Sequence, residues 1–260
     1  MTNDSQEHPR ERGIAVVSGA ASGIGAATVS ALASIGYQLV GLDLAPRPSA
    51  FEDVAGLQWV QGDVTVSDTW SQVAELCKAS EAGAASAFVP CAADVVVQPV
   101  LETPVEQWRR LYEINVIGVV LGLQALVPPM VERGRGAVVV VCSVNSLFAE
   151  EHVGAYSATK AALLSVTRTA ALESARHGVR INAVCPGTID TPLLRRHIAS
   201  LEDPVAAEAA MRRRQPTGAI NSPEEVAALI RFLATEDAHG MSGSAVTIDG
   251  GLTSTYDFAV

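Results

Sequence analysis

Ile14-Ala15-Val16-Val17-Ser18-Gly19-Ala20-Ala21-Ser22-Gly23-Ile24-Gly25 is a short apolar run that ends in a glycine-rich turn and opens a helical stretch over residues 24–35. An unbroken apolar run of this length suits a strand covered on both faces, as in a parallel sheet. Glycines let the turn close tightly and let main chain approach a pyrophosphate. The helix start behind them offers N–H donors and the positive end of its dipole. A glycine-rich turn alone is a weak signal, but the strand before it and the helix after it are the required context. The spacing is Gly-x-x-x-Gly-x-Gly rather than the commoner Gly-x-Gly-x-x-Gly. Gly19, Ser22, Gly23, Ile24 and Gly25 form the candidate phosphate cradle.

The same rhythm continues outward. Apolar runs at 37–42, 57–61, 87–89, 137–142, 180–184 and 245–248 alternate with helical patterns at 67–79, 105–130, 155–177 and 223–234. Short strands alternating with longer helices build βαβ units, hence an α/β fold. No linker, charge block or repeat interrupts the alternation, so residues 13–260 read as one domain behind a polar leader, residues 1–12, expected to be disordered. One segment departs from the rhythm. Residues 190–215 are helix-like, rich in arginine, and follow the end of a strand, where α/β enzymes place substrate lids.

The bulk properties exclude several classes. With 260 residues and a formal charge of −10, the chain reads against a nucleic-acid partner, because phosphate neutralisation needs clustered Lys and Arg. No run reaches about eighteen consecutive apolar residues, so no membrane span is expected. The N-terminus has no apolar signal-peptide core. Cys77, Cys91, Cys142 and Cys185 show neither a CxxC pair nor zinc-ligand spacing, which suggests reduced, mostly buried thiols in a cytoplasmic protein and no metal.

Two carboxylates extend the nucleotide reading. Asp43 ends the second strand about twenty residues past the glycines, where a carboxylate meets the adenosine ribose hydroxyls and repels a 2′-phosphate. That favours NAD over NADP, with Arg47 nearby as the residue able to reverse the preference. Asp63, followed by Val64, ends the third strand at the adenine edge.

The chemistry-bearing pattern is Tyr156-Ser157-Ala158-Thr159-Lys160, which sets Tyr156 and Lys160 one helical turn apart. A tyrosine titrates near 10, and a neighbouring ammonium favours the phenolate, making the phenol usable as an acid/base. Ser143 ends the preceding strand and is placed to hold a substrate oxygen. Asn115, within the long helix before it, is placed to orient Lys160 through a water. The Tyr/Lys spacing occurs by chance in many helices. Its weight comes from the phosphate loop, Asp43 and the strand-end serine in this order.

Together, residues 18–25, Asp63-Val64, Asn115, Ser143, Tyr156/Lys160 and Pro186-Gly187-Thr188 resemble the short-chain dehydrogenase/reductase family from Gly13 to Gly251. The resemblance implies a Rossmann-type doubly wound sheet of about seven strands, a homotetramer, a small-molecule substrate, and hydride transfer between a secondary alcohol and a nicotinamide. It implies that Tyr156 exchanges the proton, Ser143 positions the substrate oxygen, Lys160 supports the phenolate and the nicotinamide ribose, and Asn115 continues the relay. Pro186, Gly187, Thr188, Ile189 and Thr191 would line the nicotinamide and pyrophosphate, and Ala92 the ribose. One motif departs: the family's Asn-Asn-Ala-Gly reads Pro90-Cys91-Ala92-Ala93 here, which puts local stability and cofactor affinity in question. Two alternatives therefore stand beside the NAD-linked enzyme, an NADPH-dependent ketoreductase and a non-catalytic nucleotide-binding protein.

For the substrate, residues 185–192 and 214–218 are similar to family members acting on hydroxy acids and sugar acids. There an arginine at the position of Arg214 meets a substrate carboxylate, a geometry an Arg–carboxylate fork would fix. His197 and the pair Glu150-Glu151 depart from that subgroup and leave open a cationic or polyhydroxylated substrate.

Overall fold

A computed structural model describes residues 12–80 and 83–254. The expected leader lies outside the described residues except for Arg12, and so does the chain beyond Ser254. The seven strands are β1 (Ile14–Ser18), β2 (Gln38–Asp43), β3 (Leu57–Gln61), β4 (Ala85–Pro90), β5 (Gly136–Val141), β6 (Val179–Pro186) and β7 (Ala245–Ile248). They form one parallel sheet in the order β3-β2-β1-β4-β5-β6-β7. The order reverses between β1 and β4, which opens a crevice at their C-terminal ends.

Alternate strand residues point to opposite faces, and each face buries its own core. Val16, Phe88, Val138 and Ile181 pack towards α2 (Ser67–Lys78), α4 (Gly118–Arg133) and α5 (Gly154–Ala175). Val17, Val89, Val139 and Val184 pack towards α1 (Gly23–Ala33) and α8 (Pro223–Ala234). Trp70 meets Phe88 edge-on, with ring centroids 5.5 Å apart. Gly122 of α4 lets both rings approach, since a Cβ there would lie 2.6 Å from Phe88. The α8 start follows its sequence: Ser222 and Glu225 form a reciprocal capping box, with Pro223 at the first helical position.

Several element boundaries differ from the sequence reading, most of them by one or two residues. The helix expected at 105–130 is α3 (Val105–Tyr112), a π-helical turn (Glu113–Ile117) and α4, so it runs on to Arg133. The π turn inserts a residue and re-aims the side chains within it, which periodicity alone does not reveal. The whole stretch Val105–Arg133 is long and apolar enough to cross a membrane by length and composition. Its buried residues Leu111, Val119, Leu126 and Met130 make it part of the protein core. Tyr37 precedes β2 rather than opening it, its hydroxyl donating to Ala234 O at 3.0 Å. Cys142 lies just past β5.

The insertion at 190–215 is two helices, α6 (Pro192–Ala199) and α7 (Pro204–Arg214), each with proline at its start. Thr191 and Asp203 cap them by accepting from Leu194 N at 3.2 Å and Ala206 N at 2.9 Å.

Candidate active site

The crevice is a cavity of about 1380 Å³, running from the β2 end to α6 and α7. At the nucleotide end, Gly19 turns with φ +67° and Gly23 with φ +53°, both left-handed. A Cβ on Gly19 would lie 2.6 Å from Ala92 N, and one on Gly25 would lie 2.0 Å from Gly19 O. Ser22, the residue before α1, makes no side-chain capping bond, so the first N–H groups of the helix face the cavity without that partner. A cradle that only glycine fits and an uncapped helix start suit a pyrophosphate.

Asp43 accepts from Ala21 N and Ala45 N, both at 2.9 Å, which ties the phosphate turn to the β2 end. Asp63 accepts from the amide and hydroxyl of Thr65 at 2.8 and 2.9 Å and stands beside Val64 in the wall. Arg47 is turned away from the cavity. Its guanidinium donates to the carbonyls of Leu57 and Glu52 at 3.2 Å and to that of Phe51.

At the chemical end, Ser143, Tyr156 and Lys160 share one wall. Lys160 is buried; its Nζ donates to Val141 O at 2.8 Å and lies 5.7 Å from the Tyr156 ring centroid. Ser143 caps the turn Val144–Ser146, its Oγ accepting from Asn145 N at 3.1 Å. Accepting one bond leaves the hydroxyl proton able to donate towards the cavity.

Asn115 does not line the cavity. It is fully buried in the π turn, where its side chain makes three direct bonds. Its Nδ2 donates to Asp94 O at 2.9 Å and to Thr159 Oγ1 at 3.0 Å, while its Oδ1 accepts from Asp94 N at 2.8 Å. Thr159 in turn donates to Tyr156 O at 2.7 Å. Asn115 thus braces the loop after β4 against the turn of α5 that carries Tyr156. The same brace supports the loop Pro90-Cys91-Ala92-Ala93, where the family motif is missing. That loop is held by main chain, with Cys91 N donating to Ser18 O at 3.1 Å and Ala92 N to Ser18 Oγ at 3.5 Å. Burial pushes the Cys91 thiol up to about 12.

At the far end, α6, α7 and the link between them contribute Leu193, Leu194, Leu201 and Met211, which line the cavity with Val95, Val97 and Phe148. The cations of this segment are largely paired. Arg195 binds Asp190 and Glu208, and Arg212 binds Glu208 at 2.7 Å. The Arg195 guanidinium holds the Asp190 carboxyl below its usual range, and Arg212 does the same for Glu208. Arg214 reaches the cavity, where its guanidinium meets Glu150 Oε1 at 2.7 Å.

Residues 19–253 match the family model described as enoyl-(acyl carrier protein) reductase. The chain is a short-chain dehydrogenase/reductase. As such it is an oxidoreductase acting on secondary alcohols. The dehydrogenase is similar to the cis-4-hydroxycyclohexanecarboxylate dehydrogenase of Sinomonas cyclohexanicum, 39% identical over 249 residues that cover 92% of this chain and 96% of the relative. It is similar to the cyclohexanol dehydrogenase of Acinetobacter sp. (strain SE19), 32% identical over 250 residues, 93% and 95% of the two chains. The crystal structure of levodione reductase superposes with a TM-score of 0.89 at 26% identity, covering 94% of this chain and 99% of that one.

The fold brings every sequence-nominated cofactor residue of this dehydrogenase, from Gly19 to Thr191, to one cavity with Ser143, Tyr156 and Arg214. Sequence reasoning missed Asn145, whose Nδ2 donates to Glu150 Oε2 at 3.0 Å. It missed Asp94, clasped by Asn115, and the apolar residues that α6 and α7 present to the cavity. Apolar residues on α6 and α7 carry no signal that separates a cavity wall from a core.

Proposed function

We propose that this enzyme is NAD(H)-linked and interconverts a secondary alcohol on an apolar, carbocyclic or alkyl body with its ketone. The observation that carries the reading is a single cavity that holds the glycine cradle, Asp43, Ser143, Tyr156 and Lys160 at one end and an aliphatic wall at the other. That wall suits a hydrocarbon body better than a sugar acid, whose hydroxyls would lack partners against Val95, Val97, Leu193 and Met211.

The bound nicotinamide would supply or accept the hydride. Gly19, the α1 start and Thr188–Thr191 would hold its pyrophosphate, and Asp43 the adenosine ribose. Arg47, engaged with three carbonyls, supports the preference against a 2′-phosphate. Ser143 donates to the substrate oxygen and fixes it beside the phenol. Tyr156 takes the alcohol proton during oxidation and returns it during reduction. Lys160 sets a positive charge beside the phenol where proton transfer leaves a negative one. Asn115 acts as a positioning residue for that helical turn.

Turnover of cyclohexanol, linear secondary alcohols and hydroxy acids with NAD+ and NADP+ tests the reading. NAD+ with a ring alcohol is expected to lead. Tyr156→Phe is expected to lose at least about 10³-fold in kcat while still binding NADH. Unchanged turnover in that variant, or tighter NADPH than NADH binding, refutes it. The proposal includes a cytoplasmic homotetramer. The exposed Leu172, Val105 and Leu101 support assembly, and light scattering at four times 27.1 kDa checks it.

A further inference from the structure

Glu150 and Arg214 lie 64 residues apart in sequence and meet in the substrate wall of the cavity. Glu150 is held at both oxygens. Oε1 accepts from Arg214 at 2.7 Å and Oε2 from Asn145 Nδ2 at 3.0 Å. The Asn145 main-chain N–H is itself bound to Ser143 Oγ at 3.1 Å. The carboxylate is therefore fixed, through one residue, to the serine that faces the reacting oxygen. The pair is open to the cavity solvent, with 48% of the arginine and 36% of the glutamate side chain exposed. Such a pair contributes little to stability, so its position is better explained by what it does to the pocket.

We infer that Glu150 is a specificity-determining residue, an internal carboxylate that occupies Arg214 in place of a substrate's own and so tunes the pocket to uncharged secondary alcohols. The inference rests on the reading above that this cavity receives the substrate. An incoming carboxylate has two routes to Arg214. It displaces Glu150, which leaves a fixed anion without its cation, or it shares the guanidinium with Glu150 against like-charge repulsion. A neutral alcohol incurs neither cost and meets only the aliphatic wall. Glu151 beside Glu150 adds to the repulsion. Arg196 and His197 reach the cavity from α6, and His152, Lys160 and Arg110, the last paired with Asp94 at 2.7 Å, line it elsewhere.

The experiment compares wild type, Glu150→Gln and Glu150→Gln/Arg214→Gln. Glutamine keeps an oxygen for Asn145 and removes the charge. Two readouts are taken: the ratio of kcat/KM for 4-hydroxycyclohexanecarboxylate to that for cyclohexanol, and the calorimetric affinity for cyclohexanecarboxylate, which needs no turnover. Glu150→Gln is expected to raise the ratio and tighten the affinity by about tenfold or more, the span of one charge-assisted hydrogen bond. The added Arg214→Gln is expected to cancel both gains. Thermal melting of the three proteins confirms that each is folded. An unchanged ratio and affinity in Glu150→Gln overturns the inference, and so does a gain that survives Arg214→Gln, which would assign the anion to another cation of the cavity. If wild type turns over neither alcohol, the proposed function fails on its own, and the calorimetric comparison still decides the role of Glu150.

Discussion

Gly25 offers the sharpest test of how the phosphate cradle is built. Its backbone is ordinary helix, so conformational freedom is not the reason for glycine there. Space is the reason. A Cβ at this position would lie 2.0 Å from Gly19 O and 2.7 Å from Gly19 C, where separations under 3.0 Å essentially never occur. The loop and helix must part by about 1 Å to admit a methyl group. The loop has little room to yield. Gly19 already abuts the Ala92 main chain, Ala20 N is bound to Leu42 O at 3.3 Å, and Ala21 N to Asp43 at 2.9 Å. Overpacking of this kind costs about 1–3 kcal/mol, partly offset by the helical preference of alanine over glycine, up to about 1 kcal/mol. Gly25→Ala is therefore expected to lower stability by about 1–2 kcal/mol, a fall in Tm of roughly 2–8 °C for a chain of this size. The larger effect falls on the nucleotide. Moving the helix start misaligns N–H donors aimed at a charged phosphate, each worth about 1.5–3 kcal/mol, so NADH affinity drops by roughly 10²-fold. Fluorescence titration with NADH and a thermal melt read the two effects. Gly36→Ala is the control. Gly36 has φ +88°, and a methyl group added there would meet nothing within 4 Å, so this change costs about 1 kcal/mol through the backbone and leaves NADH affinity unchanged. A Gly25→Ala protein that binds NADH within threefold of wild type would refute the steric account of the cradle.

Asp43→Asn turns one acceptor into an NH₂ that confronts the Ala21 or Ala45 N–H, so NADH affinity should fall by about tenfold. NADPH should gain less than a full switch because Arg47 remains on its carbonyls, and an outright NADPH preference in the same titration would show that Arg47 leaves them. Asn115→Ala strips partners from Asp94 and Thr159 and should cost about 2–4 kcal/mol in urea unfolding; an unchanged midpoint would remove the brace. Burial pushes the Cys77 thiol from 9.0 up to about 12. The folded state therefore keeps a proton that the unfolded chain loses, and this contribution, complete below about pH 9, declines by about 1.4 kcal/mol per pH unit as pH rises towards 12. Cys77→Ala should thus be less stable than wild type at pH 7, with the gap closing in denaturant titrations by pH 10–11; a gap that holds constant contradicts the shift.

The nucleotide half of the molecule was legible because main-chain geometry dictates its residues. Gly19 and Gly23 are demanded by positive φ, Gly25 by a carbonyl, and all three fall within one turn of sequence. The strands were legible because a sheet covered on both faces admits only apolar runs, and the seven expected runs coincide with β1–β7 to within two residues at each end. Tyr156 and Lys160 were legible as neighbours because helical spacing is local. Asn115 was legible as a site candidate within the long helix, yet its partners were not. The π turn that aims it at Asp94 and Thr159 leaves no periodic trace, and Asp94 stands in the very loop that departs from the family motif. The loss of the two asparagines there looked like a defect from the sequence, whereas the loop is held by its own main chain against Ser18 and by Asn115.

The substrate half resists sequence reading for a physical reason. A nucleotide is gripped by peptide groups, and peptide groups impose residue types such as glycine. In the proposed function an alcohol's body is gripped by side chains on α6, α7 and the loops after β4 and β5, and any aliphatic residue serves. What distinguishes this pocket is a pairing rather than a composition. Counting charges puts three arginines at the end of α7 and two glutamates before α5, from which an acid-binding and a cation-binding site are equally derivable. The pairing of Arg214 with Glu150, which no charge count reveals, sets the two readings against each other. The net field that a substrate meets is then set by whether that pair holds, and a single charge-neutralising change at residue 150 decides between an uncharged alcohol and a hydroxy acid.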